Sequence, residues 1–139
     1  ILKKPGPLEP AEREIMQQHS ALGAKLFGGG SLEWEMDAMA RDIALHHHQK
    51  WDGSGYTGSP EHPPLSKGAI PLAARITAVA DVFDALISRR VYKEAFPFAS
   101  VRNIIAEERG RLFDPDIADA FLTNCGEFEA IALHFGIER

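Results

Sequence analysis

The sequence has little cysteine, no excess of positive charge and no long apolar run. Cys125 is the only cysteine, so an internal disulfide is excluded. The redox compartment stays open, and a cytoplasmic setting fits. Fifteen basic residues face twenty acidic ones, for a net charge of -5. An acidic balance excludes general nucleic-acid binding, which rests on phosphate neutralisation. A phosphate ligand would need local positive charge, from a metal or a few placed Arg and Lys. No apolar stretch reaches the ~20 residues of a membrane span. Alternating apolar and polar residues are also missing, so no strand is expected.

What is present is helical punctuation. The chain has 139 residues, the size of one domain, and 45% of them are hydrophobic. The opening ILKKPGPLEP reads as loop, and such a start suggests a chain that begins mid-domain. Pro10 can open a helix over residues 10–19, with acidic residues in its first turn. Ser20 is then a candidate cap for a second short helix, SALGAKLF, stopped by Gly28, Gly29 and Gly30. Ser31 can cap a helix from about 32 to 48. Residues 50–69, rich in glycine and proline, predict a long loop of the kind that is functional or mobile. Pro71 opens the strongest helix, 71–88, with Leu72, Ile76, Val79, Phe83 and Leu86 as its expected buried stripe. Further helices are expected over 97–109, 114–124 and 127–135, the last stopped by Gly136. The fold class is all-α, a helical bundle in one domain, 1–139.

The stretch HHHQKWDGSGY, residues 46–56, raises the question of chemistry. On a helical wheel Met36, Met39, Ala40 and Ile43 share a face, and His47 falls at its centre. His46 and His48 lie on either flank, and the wheel does not choose between them. A lone inward histidine is more often a hydrogen-bonded core residue than a ligand. Adjacent histidines beside a Gly-rich loop shift the balance toward metal, since neutral imidazole is the commonest protein ligand. His19 ends another predicted helix. Asp81 sits among apolar residues in AVADVFDAL, where a carboxylate is costly to bury unless paired or coordinated. A salt bridge to Arg75 or Arg90 and a metal bond are the two alternatives.

Taken in order, HHHQKWDGSGYTG, IPLAARITAVADVFDALISRRVYKEA and RLFDPDIADAFL closely resemble the HD-GYP family. KKPGPLEPAEREIMQQHSALG matches the stretch just upstream, so the resemblance covers most of residues 2–122. It implies an all-helical, metal-dependent phosphodiesterase that hydrolyses cyclic di-GMP, used as a bacterial signalling output module. By position it implies metal-ligand roles for His19, His47, His48 and Asp81, preferring His48 to His46. It implies phosphate contacts for Arg90 and Lys93. It sets the GSGY loop, Gly53, Ser54, Gly55 and Tyr56, beside the metal as a substrate or partner surface. The implied metal is divalent, iron or manganese first, with zinc or nickel as alternatives.

The chain departs from that pattern. No histidine is followed by aspartate; the successors are Ser20, His47, His48, Gln49, Pro63 and Phe135. The family's His-Asp pair is therefore missing from these residues, which resemble roughly the C-terminal two thirds of the domain. Thr57 stands at the proline of GYP, and Gln49 replaces a glutamate. These departures predict a partial metal site and little or no turnover by this chain, with no residue assigned as catalytic. They also predict self-association through exposed apolar surface. The alternative to an enzyme is a non-catalytic module that binds a metal, a nucleotide such as cyclic di-GMP or a protein partner through the GSGY loop. A third possibility is a structural fragment whose histidines are simply packed.

Overall fold

Each helix starts where the chain offers a cheap start. In the computed structural model, residues 1, 4, 6–27, 34–88 and 95–135 are described, without the side chains of 34–36. Helix α1 is Pro10–Leu26. Pro10 gives up no needed hydrogen bond at this first position. The Glu12 carboxylate accepts from the Glu9 N–H at 2.8 Å and pairs with Lys4 at 2.6 Å. Helix α2 is Trp34–His46. Helix α3, Leu72–Ile87, follows Pro71. Helices α4, α5 and α6 are Phe98–Glu107, Pro115–Thr123 and Cys125–His134. Asp114 caps α5 by accepting from the Asp116 N–H at 2.9 Å. Among the described residues there are six α-helices and no strand, and the all-α fold class holds. The Ser31 cap, the glycine stops at 28–30 and Gly136 lie outside the described residues.

Three local expectations are corrected. The break at Ser20 does not occur, and α1 runs straight through it. Ser20 is 1% exposed, and Ala21 and Ala24 are buried beside it. Small residues let α2 approach closely: a Cβ on Gly23 would stand 3.5 Å from the Ala44 Cβ. Ser20 is thus a packing residue, not a cap.

The buried stripe of α3 is also different. Ala74, Ala78, Val79, Phe83 and Ile87 face inward, while Leu72 and Ile76 are 54% and 50% exposed. A wheel weights large apolar side chains, but close helix packing selects alanines. The same happens on α2. Leu45 is its buried residue, packed with Ala44 against Ala21 and Ala24, while Met39 is 57% exposed.

The core has two parts. Val79, Phe83, Ile87, Val101, Ile105, Phe113 and Phe121 form the larger one, between α3 and α6. Ala21, Ala24 and Leu45 form the smaller one, between α1 and α2.

The long loop ties the two together. Trp51 N–H donates to the Leu112 carbonyl at 3.0 Å, and Asp52 N–H to Arg111 at 2.9 Å. Arg75 donates to the Ile70 carbonyl at 2.9 Å, forms an ion pair with Asp114, and has its guanidinium 5.9 Å from the Trp51 ring centroid. Arg75 therefore pairs with Asp114 and not with Asp81, one of the two partners expected for that aspartate. A single 3-10 turn, Lys67–Ala69, leads into α3.

Candidate metal centre

His19 lies on α1, and His47 and His48 just past the end of α2. The packing of Leu45 and Ala44 on α1 brings the end of α2 alongside His19. The His47 N–H still donates to the Ile43 carbonyl at 3.0 Å, so its backbone direction continues from the helix. His19, His47 and His48 each offer one ring nitrogen, and these atoms all lie within 4.8 Å of one another. Among the described residues this is the one such group. His48, not His46, joins it.

The tautomers decide what the group can hold. His19 Nδ1 donates to the Met16 carbonyl at 2.6 Å. His47 Nδ1 stands 3.0 Å from both the Ile43 and the Ala44 carbonyls, and donates to them. A carbonyl only accepts, so both Nδ1 atoms carry the proton when the rings are neutral. Each Nε2 is then a bare lone pair. Yet His19 Nε2 is 3.3 Å from His47 Nε2 and 3.1 Å from His48 Nε2. His48 can donate once, to His19. The approach of His19 and His47 still needs a cation or an extra proton between them. Two nitrogens about 2.1 Å from one ion stand about 3.0 Å apart at right angles and about 3.4 Å apart at a tetrahedral angle. The observed spacings suit ligands of one ion, and the backbone carbonyls act as the orienting partners usual behind metal-bound histidine.

Electrostatics keep the third ring available. Burial holds His48 well below the ordinary histidine range, at about 4, helped by the neighbouring His47 and opposed by the Asp81 charge. His48 is therefore neutral at pH 7, as a ligand must be. Burial raises the Tyr56 phenol, and the Asp81 charge adds to the effect. Asp81 itself is exposed on α3. Its carboxylate is outside the three-histidine group, although its charge acts on His48 and Tyr56. Arg90 and Lys93 lie outside the described residues.

The GSGY loop is pressed onto both histidine-bearing segments. Gly53 takes a positive φ of 88° at the turn. A Cβ at Gly55 would stand 2.5 Å from the His48 carbonyl oxygen and the Gln49 Cα. The Tyr56 ring centroid lies 5.0 Å from that of His48. Ser54 is exposed and bonds only locally among the described contacts, to Asp52 Oδ1. Just beyond, Gly58 has φ 71°, and a Cβ there would overlap the Gln17 carbonyl oxygen of α1 at 1.8 Å. Only glycine fits at 55 and 58. A shallow cleft of about 340 Å³ lies beside this loop, lined by Glu14, Gln17, Gln18, Tyr56, Pro60 and Pro64. The larger cavity, about 500 Å³, opens elsewhere among Phe83, Phe98, Phe121 and Cys125, and no histidine lines it.

The model of the family described as HD domain matches residues 1–117. The chain belongs to the HD domain family. A cyclic di-GMP phosphodiesterase of Vibrio cholerae is 44% identical over 138 residues, which are 97% of this chain and 27% of that protein. A cyclic di-GMP phosphodiesterase response regulator of Xanthomonas campestris is 43% identical over 97% of this chain and 34% of its own length. A 3'3'-cGAMP-specific phosphodiesterase of V. cholerae is 39% identical over 94% of this chain and 24% of its own length. The HD domain chain thus spans about a quarter to a third of these relatives. The resemblance to HD-GYP phosphodiesterases therefore holds at the level of family and relatives. No helix among the described residues is long and apolar enough to cross a membrane.

Two buried residues anchor the loop. Thr57 is 2% exposed, and its hydroxyl faces the Ser59 carbonyl at 3.1 Å and the His62 carbonyl. Gln49 is 3% exposed and accepts from the Leu65 N–H at 3.0 Å. Both were legible as departures from the family, but not as anchors of the loop.

Proposed function

We propose that His19, His47 and His48 hold a divalent cation and that the protein is a metal-dependent phosphodiesterase acting on cyclic di-GMP. The convergence of three Nε2 atoms, two of them with Nδ1 spent on carbonyls, carries this reading. Iron and manganese lead the candidate ions, and zinc and nickel also suit imidazole. When bound, such a cation supplies Lewis-acid chemistry toward a phosphodiester.

The chain's own residues do the positioning. The Met16, Ile43 and Ala44 carbonyls hold the ring planes of His19 and His47. Asp81 contributes negative charge beside the group and is proposed as a further ligand. Arg90 and Lys93 are proposed to meet the phosphates. The cleft beside Tyr56 is proposed to take part of the nucleotide, with the half-buried, protonated phenol available as a donor. The setting proposed is cytoplasmic.

A second reading is favoured by one observation: among the described residues no carboxylate joins the three histidines. Three ligands with an open position can hold an ion without the bridging carboxylate of a two-metal site. On that reading this HD domain binds a metal, with a nucleotide or a protein partner at the GSGY loop, and turns over little or nothing. Self-association is proposed on Ile15, Leu22 and Leu26, exposed on one face of α1.

The test is cyclic di-GMP hydrolysis by the purified protein loaded with Mn²⁺ or Fe²⁺, against His47→Ala/His48→Ala. Turnover lost in the double variant supports the enzyme. Nucleotide binding without turnover supports the module. Neither binding nor turnover removes both.

A further inference from the structure

Gln49 follows the histidine pair directly, is buried, and turns its side chain to the loop at Leu65. Its Oε1 is assigned without ambiguity, because the Leu65 N–H can only donate to it. Nε2 is therefore the other end of the amide, and it is buried without a hydrogen-bond partner. One further described side-chain atom is in that position: Nδ1 of His46. The backbone brings the two residues together, the Gln49 N–H donating to the His46 carbonyl at 3.0 Å. A buried amide donor and a buried ring nitrogen, each unpaired, are costly apart and are chemically suited to satisfy each other.

We propose that Gln49 is a positioning residue for the metal group. Its amide donates to His46 Nδ1 and accepts from Leu65 N–H, and so fixes the chain between them, where His47 and His48 stand. This pairing uses both ends of an amide. A carboxylate would satisfy Leu65, but its second oxygen would face His46 Nδ1 as acceptor against acceptor unless the ring moved its proton there. The same clamp seats residues 57–66 over the end of α2. Gly55 confirms how little room there is: its Cβ would strike the Gln49 backbone. A residue that reads in the sequence as a departure from the family thus has a packing role of its own.

The test uses metal-free and Mn²⁺-loaded protein, wild type against Gln49→Glu and Gln49→Leu. Long-range ¹H–¹⁵N spectra report the His46 tautomer. The proposal expects a ring with its proton on Nε2 in wild type, a shift toward Nδ1–H in Gln49→Glu, and loss of a fixed tautomer in Gln49→Leu. Mn²⁺ affinity should fall about tenfold or more in both variants, the usual effect of losing a group that orients ligands. If Gln49→Leu does not fold, the near-isosteric Gln49→Glu carries the test. An unchanged His46 signature overturns the proposal, as does a changed signature with unchanged affinity. The affinity arm rests on the metal reading above, and the ring signature does not. Wild-type protein that binds no Mn²⁺ but shows the expected tautomers would remove that reading and leave the amide clamp standing.

Discussion

Helices α1 and α2 meet through Ala21, Ala24 and Leu45, whereas α3–α6 close around Phe83, Phe113 and Phe121. Each buried aromatic removes about 150–250 Å² from water, worth roughly 4–6 kcal/mol at about 25 cal/mol per Å². The alanines between α1 and α2 remove far less. The Phe83 and Phe121 rings also meet at a tilt, 5.5 Å between centroids, and Phe128 packs on both at 5.6 and 4.8 Å. The histidines therefore stand on the part with the thinner core. That part relies on ties from outside: Gly58 on α1, Gln49 on Leu65, and Trp51 on the 111–112 segment. Chemistry carried by a thinly packed element couples ligand binding to local order, because a bound ion stabilises what packing does not.

The comparison can be broken at its strong end first. Phe121→Ala should cost about 3–5 kcal/mol in chemical denaturation, and Leu45→Ala about 2–3 kcal/mol. A larger loss at Leu45 would reverse the ranking of the two cores. Gly58→Ala comes next. It forces a side chain into positive φ and onto the Gln17 backbone, so about 1–3 kcal/mol is expected. Mn²⁺ binding should weaken with it, measured by calorimetry, because the loop can no longer lie against the segment that carries His19. Unchanged stability and affinity would show that the loop is not a tie.

The periodicity of the chain shows five of the six helices to within a few residues and splits α1 in two. It misplaces parts of the buried faces of α2 and α3, because a wheel ranks residues by size and hydrophobicity while Ala74 and Ala78 of α3 are buried and Leu72, Ile76 and Met39 are exposed. It also suggests a cap at Ser20, where a small polar side chain is instead what close packing admits. His19 and His47 are singled out by type and position, and His48 over His46 only by the family resemblance, but their common meeting point depends on how α1 packs on α2, which no local pattern encodes. The roles of Gln49, Thr57 and Gly58 come from contacts with Leu65, His62 and Gln17, and such pairings across a loop leave no periodic trace.

Two smaller effects sharpen the picture of the loop and the site. Thr57→Val keeps shape but removes a hydroxyl that faces two carbonyls, so about 1 kcal/mol is expected. Hydrogen exchange should localise the loss to residues 57–62, and a loss spread over α4–α6 would contradict it. The last concerns pH. His48 is held near 4 by burial, below its unfolded value of 6.5. The unfolded chain therefore takes up the proton first as pH falls. Metal-free stability should be full above about pH 6.5 and decline toward pH 4, and His48→Gln should flatten that decline. A slope unchanged in His48→Gln would mean that another group causes it.

Metal content per chain tests the central claim most directly. It requires elemental analysis of protein purified without a polyhistidine tag or nickel resin, on wild type and on His47→Ala/His48→Ala. About one iron or manganese ion per chain, absent from the double variant, is the predicted result. Wild-type protein that stays metal-free after incubation with Fe²⁺ and Mn²⁺ would contradict the claim, and the three rings would then be packed histidines sharing a proton.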